Sequence, residues 1–146
     1  MTSDEVKEPS FNLNCVDGHS NCTIRTFSSG ATRDTSQGKL DYVKALSPIV
    51  LQRYVQYLDK HRLQPDGNMR EFDNWKQGIP IEAYFSGLGR HFIALWLLAQ
   101  GFPAEDNHGP VMLEDSLAAI IFNCSGWLHE ILKAKLQNKE VEEIKA

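Results

Sequence analysis

A chain of 146 residues with 42% hydrophobic and 23% charged residues has the make-up of one soluble globular domain, and two independent domains are not expected at this length. A formal net charge of -4 leaves no basic field for general nucleic-acid binding, so only a local cluster of cations, of the size a single nucleotide needs, is in play.

Residues 1 to about 40 are rich in Ser, Thr, Asn, Asp and Gly and poor in large apolar side chains, which predicts an irregular N-terminal arm with one short strand over Cys22–Phe27. Met1–Ser10 carries Asp4, Glu5, Lys7 and Glu8 and has no apolar run of the kind a secretory signal needs. The longest apolar stretch, Phe92–Ala99, is far shorter than the ~20 residues that span a bilayer, so no membrane association is expected. Three cysteines without framework spacing fit a reducing compartment, and the expected location is the cytoplasm. Cys15, His19 and Cys22 have C-x3-H-x2-C spacing, but a structural zinc takes four ligands and no second pair follows; a polar loop with free thiols is the preferred reading.

Gly30–Tyr42 brackets hydroxyls, Arg33 and Lys39 between glycines and resembles a phosphate loop only weakly, since neither the glycine spacing nor the Lys-Ser/Thr ending of a Walker A loop is present. A first helix is predicted over Ser47–His61, with Ser47 as cap and Pro48 at the first helical position. Ile49, Val50, Tyr54, Tyr57 and Leu58 form its apolar face, and Arg53 is drawn beside that face. A guanidinium there needs a carboxylate, a phosphate or a path to water.

Pro65-Asp66-Gly67 marks a turn, and Arg70–His91 then delivers polar groups able to hold a phosphate or an anion onto a core helix, which makes it the candidate site. Trp75, between Asn74 and Lys76, reads either as a lid over a nucleobase or, more commonly for such a residue, as a plug for the core. Gly78-Ile79-Pro80 leads into a second helix, Ile81–Gln100, apolar enough to occupy the middle of a bundle, with Tyr84, Phe85, Leu88, Phe92, Leu95, Trp96 and Ala99 on its apolar face. Arg90 and His91 lie on it, and His91 is one turn from both Leu88 and Leu95. A lone core histidine is usually a hydrogen-bonded structural group; the adjacent Arg90 raises its standing as a functional one.

Gly101-Phe102-Pro103 stops that helix, and an acidic loop containing Glu105, Asp106 and His108 follows. A third helix is predicted from Val111 to about Lys135, fraying into a charged tail, 137–146. Asp115, Ala119 and Asn123 fall on an i, i+4, i+8 line, with small Ala119 between two polar ends. Glu114-Asp115 suits the positive end of the helix dipole, whereas Asn123 among apolar neighbours must find a partner.

In order, the segments GATRD, GKLDY, LSP, DNWKQGIP, GRH and ED...FN resemble the phage-associated dATP/dGTP diphosphohydrolase N-terminal domain family, and more loosely the all-α MazG-like nucleotide pyrophosphatases. The resemblance spans about Gly30–His129. It implies an all-α, oligomeric domain, with a nucleotide-binding part over 41–136, that converts purine deoxynucleoside triphosphates to monophosphate and pyrophosphate with Mg2+ or Mn2+. With that activity, Glu114 and Asp115 are expected to bind the metal with His91 as a further ligand or a proton shuttle, Lys39, Arg53, Arg70 and Arg90 to hold phosphates, and Asn74, Trp75 and Asn123 to contact the base or order the pocket. The sequence departs from the MazG-like carboxylate pattern: Gln52 stands where a Glu would suit a metal, and Ala94 follows Arg90-His91. Asp41 and Glu130 complete the set only if folding brings them close. The alternative expectation is therefore a catalytically degenerate protein on the same scaffold, one that sequesters a nucleotide or binds a host protein.

Overall fold

The structure is a computed structural model that describes residues 24–34 and 39–145. The chain divides into two compact units, 1–47 and 48–146.

In the first unit, β1 (Ile24–Thr26) and β2 (Thr32–Asp34) form an antiparallel hairpin with Arg25 opposite Arg33. The strand expected over Cys22–Phe27 is present at Ile24–Thr26, and Cys22 and Thr23 lie outside the described residues. Its partner corrects the reading of Gly30 onwards as a loop, because Thr32 is β-branched and the turn at Phe27–Ala31 folds the chain back to pair it; two backbone hydrogen bonds of 2.9 Å close that turn. A one-turn helix, α1 (Tyr42–Ala45), follows, and the Asp41 carboxylate caps it by accepting from the Lys44 amide at 3.0 Å. Asp41 thus has a local structural role. The Cys15, His19 and Cys22 grouping lies outside the described residues.

The second unit is mostly helical. It contains α2 (Pro48–Lys60), a 3-10 turn (Asn74–Gln77), α3 (Ile81–Ala99), a two-stranded ribbon of β3 (Glu105–Asp106) and β4 (Gly109–Pro110), and α4 (Leu113–Lys145). Three main helices were expected, and three are found; the small sheets are additions that make the fold mostly rather than wholly α. The helix α4 runs ten residues beyond its expected end at Lys135, because Gln-Asn-Lys-Glu-Val-Glu-Glu-Ile-Lys contains no Gly or Pro and mostly good helix formers.

The middle position belongs to α4, not to α3 as its apolar composition suggested. α3 packs along α4, and α2 contacts α4 less extensively. Tyr57, Ala118 and Ala119 form a buried cluster between α2 and α4, flanked by Tyr54 and Leu58. On α3, Tyr84 is 1% exposed, whereas Phe85, Phe92 and Trp96 are more than half exposed, so much of the expected apolar face does not enter the core. Glycines allow the close approach of α3 and α4. A Cβ on Gly126 would collide with the Tyr84 ring, and one on Gly87 would lie 3.1 Å from the Asn123 Cγ. Among the described residues no helix is long and apolar enough to cross a membrane.

Candidate functional site

Two adjoining hollows lie in the second unit. A cleft of about 1000 Å³ is lined by Arg70, by Ser86, Arg90 and His91 of α3, by Tyr57 and His61 at the end of α2, and by Glu105, Asp106 and His108 of the ribbon. Beside it, a narrower cavity of about 180 Å³ is bounded by Phe72, Trp75, Ile79 and Phe122, with Arg62, Glu71 and Asn74 as its polar groups. Tyr57, His61 and Arg70 border both.

Local structure accounts for these positions. Residues 62–70 fold back on themselves: the Arg70 amide donates to the Arg62 carbonyl at 2.9 Å, and Arg62 Nε donates to the Arg70 carbonyl at 2.7 Å. That return carries Arg70 from the loop to the end of α2. Within the same return the Arg62 guanidinium covers the Phe72 ring at 4.4 Å. Asp66 tightens the turn tip by accepting from the Asn68 amide and side chain. Trp75 lies on the 3-10 turn, edge-on to His129 at 4.8 Å between ring centroids; it is half-buried, between the lid and plug readings.

Three imidazoles border the cleft. The His61 ring stacks at 4.2 Å from Tyr57 and meets His108 edge-on at 5.5 Å. A hydrogen bond of 2.9 Å joins His61 Nδ1 to the Tyr57 carbonyl, so Nδ1 is the donor and Nε2 is left for another partner. Asp106 Oδ1 accepts from the His108 amide at 2.7 Å and sets the ribbon's turn. Burial, reinforced by the Arg90 charge, holds His91 below the ordinary histidine pKa of 6.5. Burial and the nearby Asp115 and Asp106 charges push the Tyr57 hydroxyl up to about 12, so it remains a proton donor. Arg90 donates to Ser86 Oγ at 2.7 Å, which aligns its guanidinium along the wall of the cleft.

An ion cluster lies at the α2–α4 contact. Arg53 Nε donates to Glu114 Oε2 at 2.9 Å, Arg53 Nη2 donates to Asp115 Oδ1, and Lys60 Nζ donates to Asp115 Oδ2 at 2.8 Å. Burial pulls the Asp115 pKa upward, but the hydrogen bonds from Lys60 and Arg53 outweigh it and hold the carboxyl below its usual 3.8. The same two carboxylates raise the pKa of Arg53, the Glu114 bond most. A hollow of about 30 Å³, lined by Lys60, His61, His91, Asp106, His108 and Asp115, touches both this cluster and the cleft.

The expected site residues are thus only partly assembled. Arg70, Arg90 and His91 meet in the cleft, and Arg70, Asn74 and Trp75 meet at the narrower cavity. Arg53, expected on phosphate, is instead the partner of Glu114 and Asp115, because a guanidinium beside an apolar face finds its carboxylates on the neighbouring helix. Asn123 is 6% exposed and donates to the Ala119 carbonyl at 2.8 Å, so it belongs to the helix contact and not to a base pocket. Lys39 lies in the first unit. Glu130 is half-buried, and one of its oxygens has no hydrogen-bond partner among the described residues.

Mg2+ or Mn2+ on Glu114, Asp115 and His91 does not fit this arrangement. Both Asp115 oxygens accept from cationic groups, Glu114 is engaged by the same Arg53, and among the described residues no group of three or more His, Cys, Asp or Glu is placed to hold an ion.

From the sequence, His61 stands out only as a helix end and His108 only as part of an acidic loop, and neither they nor Lys60 were expected at the site. Arg53, Tyr57 and His61 follow the same i, i+4, i+8 spacing that singled out Asp115, Ala119 and Asn123, so His61 was within reach of that rule. His108 gave no signal, because its position depends on how the ribbon folds against the helices. No protein-family profile, curated protein or solved structure matches the chain.

Proposed function

We propose that the second unit binds a purine deoxynucleoside triphosphate and hydrolyses it to monophosphate and pyrophosphate. The observation that carries this reading is the joining of a cation- and imidazole-lined cleft to an aromatic cavity at Tyr57, His61 and Arg70. The larger hollow suits a triphosphate, with Arg70 and Arg90 as donors to its oxygens. The narrower one suits a planar base against Trp75 and Phe72, with Asn74 and Glu71 at its edge. The ordered sequence segments that resemble the diphosphohydrolase family support the same substrate class.

His91 is held below its ordinary pKa and is neutral at pH 7, which suits a general base. In this scheme it takes a proton from water as the water oxygen attacks the α-phosphorus. The bond to the bridging oxygen breaks, and pyrophosphate leaves. Arg70 and Arg90 offset the charge that gathers on the departing group.

A second reading, sequestration of the nucleotide without turnover, is favoured by the engagement of Glu114 and Asp115 with Arg53 and Lys60. Incubating the protein with each deoxynucleoside triphosphate, with and without Mg2+ or Mn2+, and separating the products distinguishes the two. Monophosphate and pyrophosphate in equal amounts, lost in His91→Asn, support hydrolysis. Calorimetric binding without products supports sequestration, and neither binding nor products overturns both.

A further inference from the structure

We infer that the exposed flank of the α3–α4 hairpin is the self-complementary interface of a two-fold dimer of this chain. On α4, Leu117, Ile121, Cys124, Leu128 and Ile131 are all exposed. Their spacing of 4, 3, 4 and 3 residues is the seam of a coiled coil. The opposite side of the same helix is spent within the chain: Asp115, Ala118, Ala119 and Asn123 are buried against α2 and α3.

The seam continues onto α3. Trp127 beside it meets Phe85 with ring centroids 5.7 Å apart. Phe85, Phe92 and Trp96 follow i, i+7, i+11 spacing and are 63%, 53% and 58% exposed. Phe92 and Trp96 touch at 6.2 Å, so these rings form one stripe alongside the α4 seam.

The pattern and charge of this flank suit a second copy of the same chain. About Cys124 the seam is nearly palindromic. When a second copy is laid across it on a two-fold axis, Leu117 faces Ile131, Ile121 faces Leu128 and Cys124 faces its own counterpart. That is the relation an isologous contact requires. The positions flanking the seam, Ile120, Ser125, Trp127, Leu132 and Ala134, carry no charge, so two copies meet without like-charge repulsion. With the α3 stripe, the seam offers a second copy seven exposed large apolar side chains besides Cys124, the aliphatic and aromatic make-up of an interface core. Two hairpins so joined make a four-helix bundle.

The test uses the full chain. Sedimentation equilibrium at micromolar concentration is expected to give twice the chain mass, and Leu128→Glu or Phe92→Glu to give the monomer with helical circular dichroism retained. A chain with Cys15→Ser and Cys22→Ser, leaving the seam unaltered, is treated with diamide, which takes the two thiol hydrogens as a disulfide forms. A covalent dimer through Cys124 is expected, and Cys124→Ser abolishes it. A wild-type monomer overturns the inference, as it assigns the flank to another occupant. A dimer that survives both Glu variants, or one that gives no Cys124 cross-link, overturns it as well, and the cross-link decides the matter if those variants fail to fold.

Discussion

Arg53 and Asp115 are 62 residues apart in the chain and joined directly, Nη2 to Oδ1, across the contact of α2 with α4. Asp115 is 8% exposed, and its other oxygen accepts from Lys60 at 2.8 Å, so the carboxylate is a fastener between the helices. Removing Arg53 leaves that carboxylate half-satisfied. Arg53→Ala is expected to cost about 1–2 kcal/mol, a value between those of exposed and buried pairs because a third of the arginine side chain faces solvent. The shift of the urea midpoint measures it. The double variant Arg53→Met, Asp115→Leu should recover most of the loss, since it removes both charges.

The same fastener has a pH signature. The folded-state pKa of Asp115 lies below 3.8, so the unfolded chain binds its proton more readily. The stabilisation is therefore fully present above the unfolded value. It is lost as pH falls through 3.8 towards the folded pKa. Urea titrations between neutral pH and pH 3 should show a fall in stability at the acid end that is smaller in Asp115→Asn.

Gly126 and Gly87 set the spacing of α3 and α4. A Cβ on Gly126 would collide with the Tyr84 ring, which is 1% exposed and has nowhere to move. Gly126→Ala is expected to destabilise by about 1–3 kcal/mol, the usual cost of overpacking a filled core. Gly87→Ala should cost less, as its neighbour is the Asn123 amide, and Gly89→Ala, which meets nothing within 4 Å, should be tolerated. Thermal melts of the three variants rank them.

Under the proposed hydrolysis, His91 must be neutral to accept a proton. Burial and Arg90 place its pKa below 6.5, so turnover should be flat at pH 7 and fall only at pH values below the ordinary histidine range. Substitution by Asn should lower turnover by about 10² or more and remove that acidic limb. A pH–rate profile of both proteins checks this.

Arg70 and Arg90 approach the cleft from different elements, a return loop and α3. Each change to Ala should weaken triphosphate binding by roughly 10-fold, in line with the loss of one charge-assisted bond. The loss should be smaller for the free nucleoside, which lacks the phosphates these groups face. Calorimetry with the two ligands separates the cases.

The three main helices were legible in the sequence because their signals are local: Pro48 at a first turn, Ile79-Pro80 before a start, Gly101 after an end, and apolar residues recurring at helical spacing. The buried line Asp115, Ala119 and Asn123 was legible for the same reason, since one helix places i, i+4 and i+8 on one side whatever surrounds it. The order of packing was not. Periodicity shows that α3 is apolar on more than one side, but which side meets α4 is decided by Gly87 and Gly126 letting Tyr84 and Asn123 close in. Phe85, Phe92 and Trp96 remain outside as a result. The Arg70 to His91 segment supplied one wall of the cleft from its own residues. Its other wall comes from His61 and His108, which only the tertiary structure brings to it. Arg53 shows why: the sequence required that its charge find a partner, since an unpaired guanidinium beside a core is costly. Phosphate and carboxylate satisfy that requirement equally, and the choice of Glu114 and Asp115 was made by helices meeting across more than 60 residues of chain.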